Sequence, residues 1–270
     1  MNNTLNKNSL NFSEIAKTIL TGESIPADCF KMFYQYSMNN TLIAISQMRM
    51  KNISISPIAS YGKWQSLKRY VKKGQTAIQL WMPVTSPKKD EFGKIEKDEN
   101  GKVKYNTYFV FKKNWFALSQ TDGNDDFDIN KLNDKVKNFD FCKMLKTLNI
   151  TLVDFNILNG NVQGYSKVGK NEIAILPIAQ DKVMTLLHEV AHAVLHNDKD
   201  GMNIDRQIKE VEAESVAYTL GMILGVSELE LAHSRDYIKG WLKQNEIDEK
   251  TAKRILKGVN KIYESGVVEG

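Results

Sequence analysis

Apolar residues recur at three- and four-residue spacing in several stretches of this 270-residue chain, with polar residues at the positions between them. Such spacing is typical of helices that bury one face and expose the other. It predicts helices at Glu14–Leu20, Cys29–Met50, Tyr61–Arg69, Phe141–Thr147, Met184–Asn197, Ile208–Tyr218, Ser227–Asn245 and Asp248–Ser265.

Other stretches alternate between apolar and polar residues, or stay apolar for a few positions, which indicates strands. The predicted strands are Ala77–Val84, Val103–Phe111, Asn114–Leu118, Ile150–Phe155 and Glu172–Leu176, the last as an edge strand beside the helix that follows it. The segments Lys72-Lys73-Gly74 and Asn100-Gly101 predict turns. Helices, then a small antiparallel sheet, then a second mixed region indicate an α+β fold.

Charge is divided unevenly along the sequence. The formal net charge is +5, but residues 1–120 hold 18 Lys/Arg and 8 Asp/Glu, a balance of +10, which leaves −5 for residues 121–270. Residues 119–138 are rich in Asp, Asn and turn-forming residues, as linkers are. We therefore predict a first domain at 1–120, a linker at 121–140 and a second domain at 141–270.

The positive charge is concentrated in residues 30–89, where no Asp or Glu occurs. Aromatic residues such as Tyr36 and Trp64 are interleaved with its lysines and arginines. Basic side chains bind phosphates and aromatic rings stack on unpaired bases, so this mixture is typical of sites for single-stranded nucleic acid. The alternative is an ordinary solvated basic face over a core that holds the aromatic rings.

The strongest chemical signal is the motif His188-Glu189-Val190-Ala191-His192. Histidines four positions apart on a helix lie about 40° from each other around its axis, so both face one direction. They can then bind one Zn²⁺ at about 2.0–2.1 Å. Glu189 lies beside them, where it is placed to take a proton from a metal-bound water.

A zinc site of this kind needs a third protein ligand. Gluzincin-type sites take it from a Glu on a second helix, and a carboxylate four residues later often hydrogen-bonds a ligating histidine. Within Ile208–Tyr218 we predict Glu210 as the ligand and Glu214 as that hydrogen-bond partner. Glu212, about 200° round the helix from Glu210, is the competing choice.

Two further histidines are candidates for lesser roles. His196 lies about 12 Å along the helix from His188 and about 80° round it, so it does not easily share the same metal. We interpret it as a partner of another residue or as a surface histidine. His233 is either structural or a hydrogen-bond donor to a transition state.

Composition excludes several classes of protein. Apolar residues make up 42% of the chain and charged residues 26%, which excludes wholesale disorder. No run reaches the roughly 18 apolar residues of a membrane helix, and the first residues do not form a signal peptide. Cys29 and Cys142 lie outside any CxxC pattern and fit a reducing cytosol, so we expect a cytoplasmic protein without a membrane partner.

Several segments together resemble the ArdC-type antirestriction proteins of plasmids, phages and conjugative elements. In the first half these segments are Tyr36–Ile43, Tyr61–Trp64, Arg69–Gly74 and Trp115–Thr121. In the second half they are His188–His196, Glu210–Tyr218 and Tyr237–Trp241. The resemblance covers most of the chain.

The resemblance implies a single-stranded-DNA-binding domain at 1–120 and an ImmA/IrrE-like zincin metallopeptidase domain at 141–270. The expected fold is therefore N-terminal helices with a small antiparallel sheet, followed by a zincin-like α+β domain. The predicted partners are single-stranded DNA and, if the peptidase is active, a protein substrate. The candidate nucleic-acid-binding residues are Tyr36, Asn39, Lys63, Trp64, Lys68, Arg69, Lys72 and Lys73.

These observations predict an antirestriction protein of a mobile genetic element that binds single-stranded DNA and carries a zinc metallopeptidase-like domain. One alternative is a zinc metalloprotease that cleaves a host or phage regulatory protein and is recruited to DNA by its first domain. Another is an interaction module in which zinc only holds the helices together.

Overall fold

The computed structural model describes residues 10–33, 35–123, 137–157, 162–167, 169–197 and 199–269. Helices and short strands follow one another along these residues, which confirms the predicted α+β fold. Most of the predicted linker at 121–140 lies outside the described residues. Among the helices described, none combines the length and the apolar composition needed to cross a membrane.

Polar side chains begin most of the long helices. Asn11, Ser37, Ser227 and Asp248 each accept a hydrogen bond from a backbone N–H of the first helical turn, which a helix cannot satisfy internally. The helices are α1 (Phe12–Thr21), α2 (Ala27–Lys31), α3 (Met38–Met50), α4 (Tyr61–Ser66), α5 (Phe141–Thr147), α6 (Lys182–Leu195), α7 (Lys199–Met202), α8 (Arg206–Leu224), α9 (Glu228–Leu242) and α10 (Glu249–Gly266).

The strands form four small sheets. They are β1 (Ile58–Ser60), β2 (Arg69–Val71), β3 (Ile78–Pro87), β4 (Tyr105–Ala117), β5 (Thr121–Gly123), β6 (Lys137–Phe139), β7 (Thr151–Leu152), β8 (Gly164–Lys167), β9 (Glu172–Ile175) and β10 (Val267–Glu269). The sheet orders are β1-β4-β3, β2-β5, β10-β6 and β7-β9-β8. All pairs are antiparallel except β7 with β9.

The chain divides into two compact units. The small unit is Ile58–Asp125, and the large unit combines Met1–Pro57 with Asp126–Gly270. Within the small unit, Ile58 pairs with Ala117 across β1 and β4, so the start of this unit lies beside residues close to its end. The small unit is thus an insertion in the sequence of the large one.

Helix α10 explains why the division differs from the predicted boundaries at 1–120, 121–140 and 141–270. It packs against α1, α3 and α5 as well as against α6 and α8. Ile15 and Leu42 from the first two of these helices are fully buried, as are Val259 and Ile262 of α10. The N-terminal helices therefore complete the core of the large unit, which a boundary drawn from charge could not reveal.

Four of the predicted elements have different bounds. Cys29–Met50 is two helices, because Ser37 is extended and caps a new helix at Met38. The helix predicted at Tyr61–Arg69 ends at Ser66, since Lys68 has a φ of 57° that turns the chain into β2. The strands predicted at Val103–Phe111 and Asn114–Leu118 are the single strand β4.

The prediction of Glu172–Leu176 as an edge strand is wrong. The strand found there, β9, lies between β7 and β8, and β8 is the edge strand beside α6. No strand was predicted at β8, because its sequence Gly164-Tyr-Ser-Lys167 lacks an apolar run. The strand predicted at Ile150–Phe155 is limited to Thr151–Leu152.

Candidate metal centre

Helix α6 brings the two histidines of the HExxH motif together. His188 and His192 are one turn apart, and their Nε2 atoms are separated by 3.0 Å. Leu187, Val190 and Ala191 are fully buried in the same helix, which packs against α8. This packing fixes the direction in which both imidazoles point.

Helix α8 supplies a third ligand atom. Glu210 Oε2 lies 3.6 Å from His188 Nε2 and 3.5 Å from His192 Nε2. These three residues form a group that could hold a metal ion. Ligand atoms of a tetrahedral zinc site with bonds of about 2.0–2.1 Å are about 3.4 Å apart, so the observed triangle has the right size.

The charges around the triangle favour a cation. Burial lowers the pKa of His188, but hydrogen bonds with Glu210 and Glu214 outweigh it and raise that pKa to about 10. Hydrogen bonds with His188 and His192 in turn hold the pKa of Glu210 well below its usual range. The carboxylates thus stabilise positive charge where the three ligand atoms meet, and a divalent cation supplies such charge.

Glu189 has a different environment from the other carboxylates. Burial raises its pKa to about 7; His188 opposes this shift and Glu210 adds to it. Gly164 of β8 lies so close that a Cβ there would come within 3.0 Å of Glu189 Cγ and Oε1. Glu189 is therefore a confined carboxyl group with a pKa suited to proton transfer near neutral pH.

Glu214 contacts the centre without entering the triangle. Its Oε2 lies 2.8 Å from His188 Nδ1, the ring nitrogen opposite the one in the triangle. Burial opposes its ionisation, but hydrogen bonds with His188 and Ser234 outweigh burial and lower its pKa. The structure places Glu214 where it can orient His188.

Glu212 points away from the triangle. Its side chain is fully buried, with Oε2 3.0 Å from His196 Nε2 and Oε1 2.7 Å from Arg254 Nε. His196 is also buried, and its Nδ1 lies 3.1 Å from Nδ1 of His192. Of the two interpretations of His196, the structure therefore supports a partner of other residues and not a surface histidine.

A cleft of about 700 Å³ opens over the triangle. It is lined by α6, α8, the N-terminal part of α9 and the edge strand β8. His233 is exposed and lies on its wall next to Ser234. This volume is within the range of small-ligand sites and also suits a few residues of an extended peptide.

The residues predicted to bind nucleic acid lie in two groups. Tyr36 and Asn39 belong to the large unit, where Asn39 is the second residue of α3. The other six belong to the small unit. Of these, the exposed side chains are Lys63, Lys68, Lys72 and Lys73.

Two of the predicted contacts are wrong. Trp64 is fully buried, and its indole N–H donates to the carbonyl of Phe116, so no ring face is left for a base. Arg69 is also buried, and its guanidinium donates to the hydroxyl and the carbonyl of Thr121. Both side chains stabilise the small unit from within.

The sequence reasoning missed an aromatic face on the β3–β4 hairpin. Trp81 stands opposite Phe111, Pro83 opposite Phe109, and Pro87 opposite Tyr105. Phe109 and Tyr105 are 50% and 61% exposed. Side chains on alternate positions of a strand share one face, so the period-two pattern of this segment is the signal that could have identified it.

No protein-family model matches the sequence, and no curated protein matches it significantly. The similar solved structures include two that are described as the antirestriction protein ArdC from the R388 plasmid. The metal-free structure is 16% identical, with a TM-score of 0.52 and 94% of each chain covered.

The Mn(II)-bound structure is also 16% identical, with a TM-score of 0.45, covering 94% of this chain and 97% of that one. The similarity to the metal-free structure shows that the chain adopts the ArdC fold. At this identity, the similarity extends to the fold alone.

Proposed function

We propose that the chain is an antirestriction protein whose metal centre serves peptide-bond hydrolysis. The observation that carries the metal site is the triangle of His188 Nε2, His192 Nε2 and Glu210 Oε2, with the buried Glu189 beside it. Zinc is the expected ion because two imidazoles and one carboxylate are a common donor set for catalytic zinc. The antirestriction role is inferred from the ArdC fold.

Each residue of the centre has a separate task. When bound, a divalent cation polarises a carbonyl group and lowers the pKa of water. Glu189 accepts a proton in the cleft, since its carboxyl group is buried next to His188 and has a pKa of about 7. Glu214 holds the ring of His188 through Nδ1, so that Nε2 faces the triangle.

Strand β8 supports a peptide as the substrate. It is the edge strand of its sheet in the described residues, and Gly164, Tyr165 and Ser166 line the cleft. An extended peptide can add to such an edge through backbone hydrogen bonds. Its scissile bond would then lie close to Glu189.

The metal site is tested by the metal content of purified protein after dialysis against zinc. We expect wild type and Glu189→Gln to retain zinc, and His192→Ala and Glu210→Ala to lose it. His233→Ala is the matched control, since it removes a histidine from the same cleft but not from the triangle. Equal zinc in wild type, His192→Ala and Glu210→Ala would refute the site.

The proposed peptide-bond hydrolysis is tested in cells. A host that restricts foreign DNA is transformed with DNA that carries restriction sites. We expect wild type to protect the DNA and Glu189→Gln to lose protection while keeping its zinc. Equal protection by Glu189→Gln overturns hydrolysis and leaves the metal as a structural element. No protection by wild type overturns the antirestriction role.

We also propose that the small unit binds single-stranded DNA. The observations that favour this are the exposed lysines, Lys63, Lys68, Lys72 and Lys73, and the aromatic face with Phe109 and Tyr105. Bases that are not paired stack on exposed rings, and ammonium groups bind the phosphates. Trp64 and Arg69 take no part in this proposal.

This second proposal is tested by the fluorescence anisotropy of a labelled single-stranded oligonucleotide at two salt concentrations. Phe109→Ala should weaken binding by about 1–3 kcal/mol. Lys68→Gln with Lys73→Gln should reduce the dependence of affinity on salt. Leu229→Ala and Lys257→Gln are matched controls, because both residues are exposed in the large unit. Binding that is absent or insensitive to salt would contradict the proposal.

A further inference from the structure

A row of buried polar groups leads from the metal triangle to helix α10. His192 Nδ1 contacts His196 Nδ1 at 3.1 Å, and His196 Nε2 contacts Glu212 Oε2 at 3.0 Å. Glu212 Oε1 then accepts from Arg254 Nε at 2.7 Å. We call His192, His196, Glu212 and Arg254 the polar network.

The middle of the polar network is deeply buried. Glu212 is fully enclosed and His196 is 2% exposed, while the side chains of His192 and Arg254 are 18% and 22% exposed. Arg254 donates to Glu212 and also to the hydroxyl of Thr251 one turn earlier in α10. Burying a charged pair costs several kcal/mol per ion, and an apolar pair of similar volume is often as stable or more so. Stability of the core alone therefore does not explain this arrangement.

Arg254 sets the direction of every hydrogen bond in the polar network. A guanidinium has only donors, so Glu212 Oε1 accepts from Arg254. Paired with this cation, the Glu212 side chain is a carboxylate, and its Oε2 accepts from His196. His196 then carries its proton on Nε2. In the neutral ring its Nδ1 must accept, and the facing Nδ1 of His192 must donate.

The outcome at His192 is the tautomer that a metal requires. With the proton on Nδ1, the lone pair of His192 is on Nε2, the atom that belongs to the triangle with His188 and Glu210. The opposite tautomer would place an N–H against the metal position. A donor on α10 thus determines which nitrogen of His192 is free to bind.

We propose that His196, Glu212 and Arg254 are positioning residues that hold His192 in its metal-binding tautomer. The inference rests on the proposed metal site and adds to it a second support, separate from the contact between Glu214 and His188. Glu212 acts from α8 without being a metal ligand itself. Arg254 acts from α10, which contributes no atom to the triangle.

The test measures Co²⁺ binding by full-length protein, by visible absorption and by competition with a chelator. Arg254→Met removes the donor, and Glu212→Gln replaces one acceptor oxygen by a donor of the same shape. Both should weaken Co²⁺ binding about 10–100-fold and change the d–d bands of the bound ion. Arg254→Lys keeps the charge and a donor, so it should restore part of the affinity.

The matched control is Lys253→Met, which removes the neighbouring exposed cation of α10 and should leave affinity and spectrum unchanged. Nitrogen-15 spectra of the histidine rings in the zinc-loaded protein supply a second readout. His192 should carry its proton on Nδ1 in wild type, and this signal should be lost or divided in Glu212→Gln. If Arg254→Met does not fold, Glu212→Gln and Arg254→Lys decide the question.

The outcomes separate the two levels of the proposal. If wild type binds no Co²⁺, the metal site and the positioning role both fail. If wild type binds but Arg254→Met and Glu212→Gln bind equally well with the same spectrum, the positioning role fails and the metal site stands. Weaker binding by Lys253→Met as well would assign the effect to charge in general and overturn the inference.

Discussion

Burial raises the pKa of all three carboxylates around the metal triangle, but hydrogen bonds reverse the shift at two of them. Glu210 and Glu214 have imidazole partners that lower their pKa values, whereas burial raises the pKa of Glu189 to about 7. Environment therefore distinguishes the proposed base from the proposed ligand and its supporting carboxylate. The spacing of Glu210 and Glu214 predicted that both lie on the same side of α8, because positions four apart on a helix share a face. Spacing could not identify Ser234, which comes from another helix.

Replacing Glu189 by Gln should stabilise the metal-free protein at alkaline pH. The pKa of Glu189 is about 7 in the folded protein and 4.5 ordinarily, so the folded state binds more protons between these pH values. Stability from this group is then present at low pH and lost as pH rises from 4.5 to about 7. Glu189→Gln removes that loss. The free energy of unfolding should therefore rise by about 3 kcal/mol at pH 8, and this difference should disappear near pH 4.

Thermal or urea unfolding in the presence of a chelator measures this effect. Glu172→Gln is a suitable control, since the pKa of that exposed residue is lowered by its hydrogen bond with Lys167 and the sign of the effect is reversed. A Glu189→Gln protein no more stable than wild type at pH 8 would show that the carboxyl group is not held in a desolvated position.

The sequence alone could not determine whether Trp64 is buried or exposed. A tryptophan among lysines is compatible with a stacking site and with a core, and the structure places it in the core with its N–H bonded to Phe116. Exposed rings lie at other positions, among them Tyr70 and, on the β3–β4 hairpin, Tyr105 and Phe109. Only the fold determines which aromatic residues of a basic segment face solvent.

Among the elements, helices were better predicted than strands. Helix α10 buries one apolar face at a period near 3.6, and α6, α9 and α10 were predicted close to their observed positions, whereas α8 continues to Leu224, beyond the predicted Tyr218. Strand β8 has no such pattern, yet its Gly164 lies next to the side chain of Glu189. Its importance comes from a close approach to α6, which is a property of the fold.

Gly164→Ala should therefore destabilise the large unit. The new Cβ would lie 2.8 Å from Thr185 Cγ2 and 3.0 Å from Glu189 Oε1, closer than side chains pack, so β8 or α6 must shift. Such overpacking costs about 1–3 kcal/mol. Zinc affinity should change little, since the crowded atoms are not those of the triangle.

Gly240→Ala, in contrast, should stabilise the large unit. Gly240 lies inside α9 with no atom within 4 Å of an added Cβ, so Ala should stabilise the helix by about 0.5–1 kcal/mol. Urea unfolding of both variants measures the two signs. A Gly164→Ala protein as stable as wild type would contradict the close approach of β8 to α6.

For the whole molecule, the sequence indicated two parts, and the two compact units have bounds that differ from the predicted ones. Charge separates residues 1–120 from the rest, whereas the contacts join Met1–Pro57 to the large unit. The apolar faces of α1 and α3 were visible in the sequence, but nothing in their pattern named α10 as their partner. Long-range packing of this kind depends on the complete fold.

Excising the small unit should leave the metal site intact. Because Ile58 pairs with Ala117, a short Gly/Ser linker can replace the residues between them, Ala59–Phe116. The shortened protein should fold and bind zinc like wild type. Removing residues 1–57 should instead unfold the large unit, since α10 would lose the helices that cover it. Circular dichroism and zinc content measure both results, and a stable, zinc-binding protein without residues 1–57 would contradict the assignment.

The link between His192 and Arg254 also affects the order of events during synthesis. Arg254 follows His192 by roughly 60 residues, which a ribosome adds in several seconds at about 5–20 residues per second. A nascent chain can therefore expose the whole HExxH motif before α10 exists to hold it. On this arrangement, the proposed metal site is complete only in the folded protein.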